Sequence, residues 1–318
     1  MKVQDASELA NRILAEVRHV IVGKDEVARK LLVAFLANGH VLIEDFPGLA
    51  KTTMARAFSS SMGCKFKRIQ FVSDLLPADI LGTYVYNQRT SDFSLMKGPV
   101  FTNILLADEI NRAPPKTQSA LLEAMQERQV TIEGETYVLE RPFIVIATEN
   151  PIEYEGVYPL PEAQVDRFMM RISMGYPSLN EEKEIIDRRK DRGKDDFDIN
   201  VIADTQKIVE MQKVVESVHV DDDIERYMVE IVQATRGLPR VDLGASPRGS
   251  LALWHLARAN ALLDGRDYVI PDDVKSIAIQ ALSHRLILKA GPWLAGLKAE
   301  KIIDDIISKT PVPKVTKR

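Results

Sequence analysis

The chain has 318 residues, with 42 Lys and Arg against 46 Asp and Glu, a net charge of −4 and one cysteine, Cys64. That length allows two domains, and charge spread evenly along it offers no basic block of the kind that holds nucleic acid by its phosphates. A single cysteine excludes an internal disulfide and a CxxC zinc or redox site; no apolar run approaches the ~20 residues that span a bilayer, and the acids within residues 1–20 exclude a signal peptide, so a cytoplasmic protein is expected.

Residues 6–20 place Leu9, Ile13, Leu14 and Val17 on one helical face, with Asp5 or Ser7 as the expected cap. Ile21-Val22-Gly23-Lys24 breaks the pattern, and residues 25–37 resume it with Val27, Leu31, Leu32 and Phe35. Short apolar runs follow at 41–44, 66–71, 103–108, 143–148 and 170–174, with helical stretches between most of them. Strand and helix in alternation predict an α/β fold, a mostly parallel sheet with helices on both faces. Two stretches interrupt it. Tyr84-Val85-Tyr86 and Phe93-Ser94-Leu95 flank a polar turn, and Val130, Ile132, Tyr137 and Leu139 alternate about Gly134; both predict hairpins standing off the sheet. Past Tyr176-Pro177 only helical patterns recur, over 181–189, 201–215, 224–235, 247–263, 271–284 and 300–308. The expected organisation is a sheet domain over 1–176 and an all-helical one over 177–318. Asp196, Asp198 and Asn200 have the spacing that begins a calcium loop, but Val201 and Lys207 stand where such a loop needs Gly and Glu. The tail from Lys309, with two Pro and four basic residues, is expected to fray.

The chemistry concentrates at strand ends. His40-Val41-Leu42-Ile43 leads into Glu44-Asp45-Phe46-Pro47-Gly48-Leu49-Ala50-Lys51-Thr52-Thr53, and a helical stretch leads out. Strand, turn, Lys-Thr, helix is the arrangement of a phosphate-binding P-loop: N–H groups at the helix start cup phosphates, Lys51 reaches the β/γ-phosphates and the Thr52 hydroxyl binds Mg²⁺. The match to G-x-x-x-x-G-K-[ST] is imperfect, with Asp45 and Ala50 in the glycine positions. Asp tolerates unusual φ, Ala50 is expected at negative φ or slightly strained, and Gly48 supplies freedom within the loop. The competing reading is an ordinary strand–helix turn with a solvated Lys. The run Ile104-Leu105-Leu106-Ala107 ends in Asp108-Glu109, where the first acid suits Mg²⁺ and the second an attacking water. Phe143-Ile144-Val145-Ile146-Ala147-Thr148-Glu149 ends at Asn150, which could hold the same water without ionising. Arg167, in Pro161-Glu162-Ala163-Gln164-Val165-Asp166-Arg167-Phe168, could reach a γ-phosphate from a neighbouring subunit, or could simply pair with Asp166. Ser246-Pro247 reads as an N-cap and first helical position. Arg248, in that first turn, opposes the helix dipole and calls for an anion, external or from a local acid. No H-E-x-x-H pair or G-x-S-x-G elbow competes.

Taken together, Pro47-Gly48-Leu49-Ala50-Lys51-Thr52, Asp74-Leu75-Leu76-Pro77-Ala78-Asp79-Ile80-Leu81-Gly82, Ala107-Asp108-Glu109-Ile110-Asn111-Arg112 and the stretch 160–168 resemble the MoxR family of AAA+ ATPases, from about residue 20 to 288. The resemblance implies a P-loop NTPase fold, a three-layer αβα domain with a helical lid, assembled as a homo-oligomeric and usually hexameric ring. It implies ATP and Mg²⁺ as cofactors, a helix-2 insert over 74–97 and a pre-sensor-1 hairpin over 129–140, both facing the pore. It further implies Glu109 as the activator of water, Asn150 as sensor 1, Arg167 as the arginine finger (with Arg171 as the other candidate near the subunit edge) and Arg248 as sensor 2. Val22 and Gly23 would flank adenine, and the loop 45–53 with Asp108 would hold the nucleotide and its metal. The expected work is chaperone-like remodelling or maturation of a partner protein, a von Willebrand factor A-domain protein being the partner that the resemblance implies. A nucleic-acid motor and a slow nucleotide-gated scaffold are the alternatives.

Overall fold

The computed structural model describes residues 1–89, 91–151 and 156–313. Its elements are, in order, helices α1 (Val3–Val20) and α2 (Asp25–Leu36), strand β1 (Val41–Glu44), α3 (Lys51–Ser61), β2 (Phe66–Gln70), α4 (Pro77–Leu81), β3 (Gly82–Asn87), β4 (Asp92–Lys97), β5 (Ile104–Asp108), α5 (Pro115–Glu127), β6 (Gln129–Ile132), β7 (Glu135–Val138), β8 (Ile144–Glu149), α6 (Glu162–Val165) and β9 (Met170–Ile172). After them come α7 (Leu179–Arg192), α8 (Thr205–Ser217), α9 (Asp222–Ala234), β10 (Val241–Leu243), α10 (Pro247–Leu263), α11 (Pro271–Leu282), β11 (Ile287–Leu288), α12 (Ala290–Leu294) and α13 (Ala299–Lys309).

Five strands form one parallel sheet in the order β2-β5-β8-β1-β9. Successive side chains of a strand point to opposite faces, and each inner strand divides accordingly. Val41, Ile43, Ile104, Leu106, Ile144 and Ile146 join one buried cluster, whereas Leu42, Leu105, Ala107, Val145 and Ala147 join another. Both faces are covered, which is why these strands read as unbroken apolar runs. The first face packs on α1–α3, and the same cluster continues through α8–α11 and α13. The helical elements therefore share their core with the N-terminal helices, across the expected division after residue 176. The second face packs on α5 and the bases of the hairpins β3–β4 and β6–β7.

Parallel register sets the carboxyl edge. Gln70 lies opposite Asp108, Ala107 opposite Ala147 and Glu44 opposite Glu149. Polar residues that end separate apolar strands are thereby gathered in one row, the edge at which open α/β sheets bind ligands.

Two local expectations are corrected. α1 starts earlier than its apolar pattern, at Val3, so Asp5 sits in the first turn and accepts the Lys2 N–H at 3.0 Å, while Ser7 donates instead to the Leu263 carbonyl at 2.8 Å. The helical part also contains an antiparallel ribbon, β10 with β11; two- and three-residue strands paired across some forty residues leave no periodic trace. Among the described residues, no helix is long and apolar enough to cross a membrane.

Candidate active site

Between β1 and α3 the loop closes on the helix start. Gly48 sits at φ 81° with open space beside its Cα. Ala50, expected at negative φ, is left-handed at φ 56°, and Asp45 is not among the positive-φ residues. The chain must turn sharply just before α3, and Ala rather than Gly makes that turn at a cost of roughly 1–2 kcal/mol. No side chain caps α3, which leaves its first N–H groups for an anion. Lys51 Nζ donates to the carbonyls of Asp45 at 2.9 Å and Phe46 at 3.2 Å. Burial lowers its pKa, and Asp108, Asp45 and Glu109 oppose that shift.

A cleft of about 390 Å³ brings together residues 47–53, Asp108, Glu109 and Asn150, and adds Arg68 and Gln70. Asp108 Oδ1 accepts the Thr148 hydroxyl at 2.6 Å, and Oδ2 accepts Arg68 Nη2 at 2.6 Å and Nε at 3.0 Å. Glu109 is left-handed too, at φ 55°. Its N–H donates to Thr148 Oγ1 at 2.8 Å, which fixes the two acids about one hydroxyl. Glu109 Oε2 accepts Gln70 Nε2 at 2.6 Å and Arg112 Nη1 at 3.0 Å. Strained non-glycine conformations cluster where side chains are aimed for function. Asn150 is 5% exposed. Arg68, Gln70 and Thr148 escaped the sequence analysis. Their signal was present, since Arg68 and Gln70 alternate on one face of β2 and Thr148 is a polar residue inside an apolar run.

The donors in the cleft suit Mg²⁺. One hydroxyl and one carboxylate are hard oxygen ligands, and Mg²⁺ takes one or two of these together with phosphate oxygens and water. Among the described residues, no cluster of three or more His, Cys, Asp or Glu offers a separate metal cage. Arg68 now supplies the positive charge at Asp108 Oδ2, the position for which a cation would compete.

Five expected site residues lie elsewhere. Val22 is buried, and Gly23, at φ 68°, is covered by α7: a Cβ added there would meet the Glu181 carboxylate. Asp45 turns its carboxylate away from the cleft, toward residues 173–175. Arg167 and Arg248 share a second cleft of about 290 Å³ with Arg128 and Arg285. Arg167 does not pair with Asp166; its Nη1 donates to the Leu122 carbonyl at 3.0 Å. Asp166 is instead the local acid facing Arg248, at 3.9 Å, and it accepts the Ser246 hydroxyl at 3.0 Å. Ser246 also caps α10 through the Arg248 N–H. Buried Arg285 approaches Asp166 Oδ1 at 2.8 Å, a charge contact without hydrogen-bond alignment, and donates to the Asp166 and Phe168 carbonyls. Burial pushes the Arg285 guanidinium down to about 10 despite that carboxylate. Arg171 is engaged within its own chain, by Glu44 at 2.8 Å and Glu300 at 2.9 Å. A cavity of about 920 Å³ lies beside Arg171 on the other flank of β1, and neither Lys51 nor Asp108 lines it.

The chain is similar to known proteins along nearly its whole length. The pattern of the "ATPase family associated with various cellular activities (AAA)" matches residues 40–170, and that of the AAA lid domain matches residues 233–306. The chain is 49% identical over 310 residues to an uncharacterized protein, YeaC, of Bacillus subtilis, covering 98% of this chain and 97% of that one. It is 44% identical to Chaperone MoxR1 of Mycobacterium tuberculosis, covering 96% and 82%. The crystal structure of a putative ATPase from Cytophaga hutchinsonii superimposes with a TM-score of 0.92 at 41% identity, over 98% of this chain and 97% of that one.

Proposed function

The chain belongs to the MoxR family of AAA+ ATPases, and from that premise we propose a cytoplasmic, Mg²⁺-dependent ATPase. Its copies assemble as a ring, a hexamer by the resemblance, and complete one another's sites. The work is chaperone-like: remodelling or maturing a partner protein, for which a von Willebrand factor A-domain protein is our candidate.

One observation carries this proposal. The P-loop cleft gathers Lys51, Thr52, Asp108, Glu109 and Asn150, whereas Arg167 and Arg248 occupy a different cleft of the same chain. Stabilising charge on a transferring phosphoryl group calls for arginine at the γ-phosphate, and a neighbouring copy can present that second cleft. Within the first, α3 N–H groups and Lys51 hold the phosphates. Lys51 exchanges the carbonyls of Asp45 and Phe46 for phosphate oxygens. Thr52 and Asp108 would hold Mg²⁺, which would supply neutralising charge beside the phosphates. Glu109, aimed by Gln70 and by its Thr148 contact, accepts a proton from the attacking water. Asn150 orients that water, and Arg167 with Arg248 meets the phosphate from the adjacent protomer.

Calorimetry and phosphate release test the assignment together. Lys51→Ala should weaken ATP binding by about 100-fold, and Glu109→Gln should keep the affinity while slowing phosphate release by about 10²–10³-fold. Undiminished affinity in the first variant, or undiminished turnover in the second, would sink it.

A further inference from the structure

We infer that Asp45 is a positioning residue that ties occupancy of the phosphate loop to the segment leading into the helical part, an inference that rests on the ATPase reading above. Asp45 stands where a P-loop has its first glycine, yet the residue is only 4% exposed and lies outside the cleft. Oδ2 accepts the Met174 N–H at 2.5 Å, the Gly175 N–H at 2.9 Å and the Ser173 hydroxyl at 3.2 Å. Oδ1 accepts the Phe46 N–H at 3.1 Å. Two consecutive N–H groups converge on one oxygen where Gly175 turns left-handed, at φ 63°. Successive N–H groups in such a turn make a concave anion seat. Here the loop's own carboxylate fills it, and its buried charge is carried by hydrogen bonds.

The next residue repeats the attachment. The Phe46 ring stacks on Tyr176, centroids 5.6 Å apart and planes 26° apart, and Lys24 Nζ donates to the Tyr176 carbonyl at 3.1 Å. Residues 173–178 are the covalent path from β9 to α7. Lys51 grips the main-chain carbonyls of these same two loop residues, Asp45 and Phe46. When Lys51 moves to a phosphate those carbonyls are released, while the side chains of 45 and 46 stay fastened to 173–176. A shift of the loop is thereby passed to α7, whose first turn covers Gly23. A glycine at position 45 would still cup phosphate but would leave the connecting segment held only by the Phe46–Tyr176 stack.

The test uses the full chain with Mg²⁺ and either ATP or a non-hydrolysable ATP analogue. Amide hydrogen exchange over 173–186 should change when the analogue binds to the wild type. In Asp45→Gly that change should fall by more than half, with analogue affinity within about 3-fold, KM nearly unmoved and kcat lower by about 10-fold. Asp45→Asn, which keeps the shape and one strong acceptor, should fall between the two. Tyr176 is 69% exposed, so Tyr176→Ala serves if position 45 tolerates no change, and it should halve the exchange response. A wild type that binds nucleotide without changing exchange over 173–186 would overturn the inference, as would an Asp45→Gly or Tyr176→Ala variant that responds like wild type. A wild type that binds no nucleotide overturns the ATPase reading itself.

Discussion

The two clefts of this chain are built in opposite ways. The P-loop cleft takes its residues from the ends of neighbouring parallel strands and from one loop, so register alone brings them together. The arginine cleft collects Arg128 after α5, Arg167 before β9, Arg248 in α10 and Arg285 beyond α11, and depends on how the helical part packs on the sheet. In the first cleft the charges are spoken for locally: Lys51 by its own loop, Asp108 by Arg68, Glu109 by Gln70. The second is lined by four guanidinium groups and one carboxylate, Asp166, which Arg248 and Arg285 approach, whereas Arg128 and Arg167 donate to the Asn38 and Leu122 carbonyls. In the proposed ring, the arginine cleft of one copy would face the anion site of the next.

The largest effect follows from that complementarity. Arg167→Ala should leave ATP binding within a few-fold and lower ring turnover by about 10³-fold, the usual worth of an arginine finger. Mixing it with Lys51→Ala subunits should restore a fraction of the activity, because some interfaces then join an intact P-loop to an intact Arg167. If phosphate-release assays on such mixtures show no recovery at any ratio, the two clefts do not meet. Arg171→Ala should give no such complementation, since Arg171 is engaged by Glu44 and Glu300 of its own chain.

A second effect sharpens the contrast in construction. Arg285 is buried against Asp166 and against the carbonyls that flank Arg167. Removing one member of a buried charge contact strands the other, so Arg285→Met should cost about 2–4 kcal/mol in denaturant unfolding. No comparable loss is expected from Arg68→Met at the Asp108 contact, where the guanidinium side chain is 46% exposed and an exposed pair contributes about 1 kcal/mol or less. Equal losses for the two variants would remove the distinction.

These constructions also decide what the sequence revealed. The parallel sheet, both hairpins and the meeting of Lys51, Thr52, Asp108, Glu109 and Asn150 were legible because an apolar strand that stops on a polar residue announces both its burial and its exposed end. Thr148, Arg68 and Gln70 showed only as polar residues within strands, since their importance lies in cross-strand register, which a linear pattern does not display. The meeting of Arg248 with Asp166 and Arg285 depends on packing between segments roughly 80 and 120 residues apart. Asp45 was misplaced for another reason: the P-loop template assigns every loop residue to the phosphate, whereas a side chain longer than glycine's can turn the other way, and this one does.

The smallest effect lies at the rim of the first cleft. Glu149 precedes Asn150 and lies beside Glu44 on the neighbouring strand, with Arg171 beyond. Burial, then Glu44, pushes its pKa up to about 7 from 4.5, and Arg171 only partly opposes them. An acid whose folded pKa is raised binds more protons folded than unfolded between those two values, so this group's contribution to stability falls as pH rises from about 4.5 to 7. Glu149→Gln should therefore stabilise the chain at pH 8 and leave it unchanged near pH 4. The gain should be about 1–2 kcal/mol, below the roughly 3 kcal/mol that such a shift carries for a dry group, because water reaches part of this carboxylate. Chemical denaturation at the two pH values checks it. A gain of the same size at both would assign the effect to packing, and no gain at pH 8 would mean that the carboxylate is already relieved by Arg171. Retaining an acid that weakens the fold, one residue before Asn150, places the strain of this edge where the sequence expects the attacking water to be held.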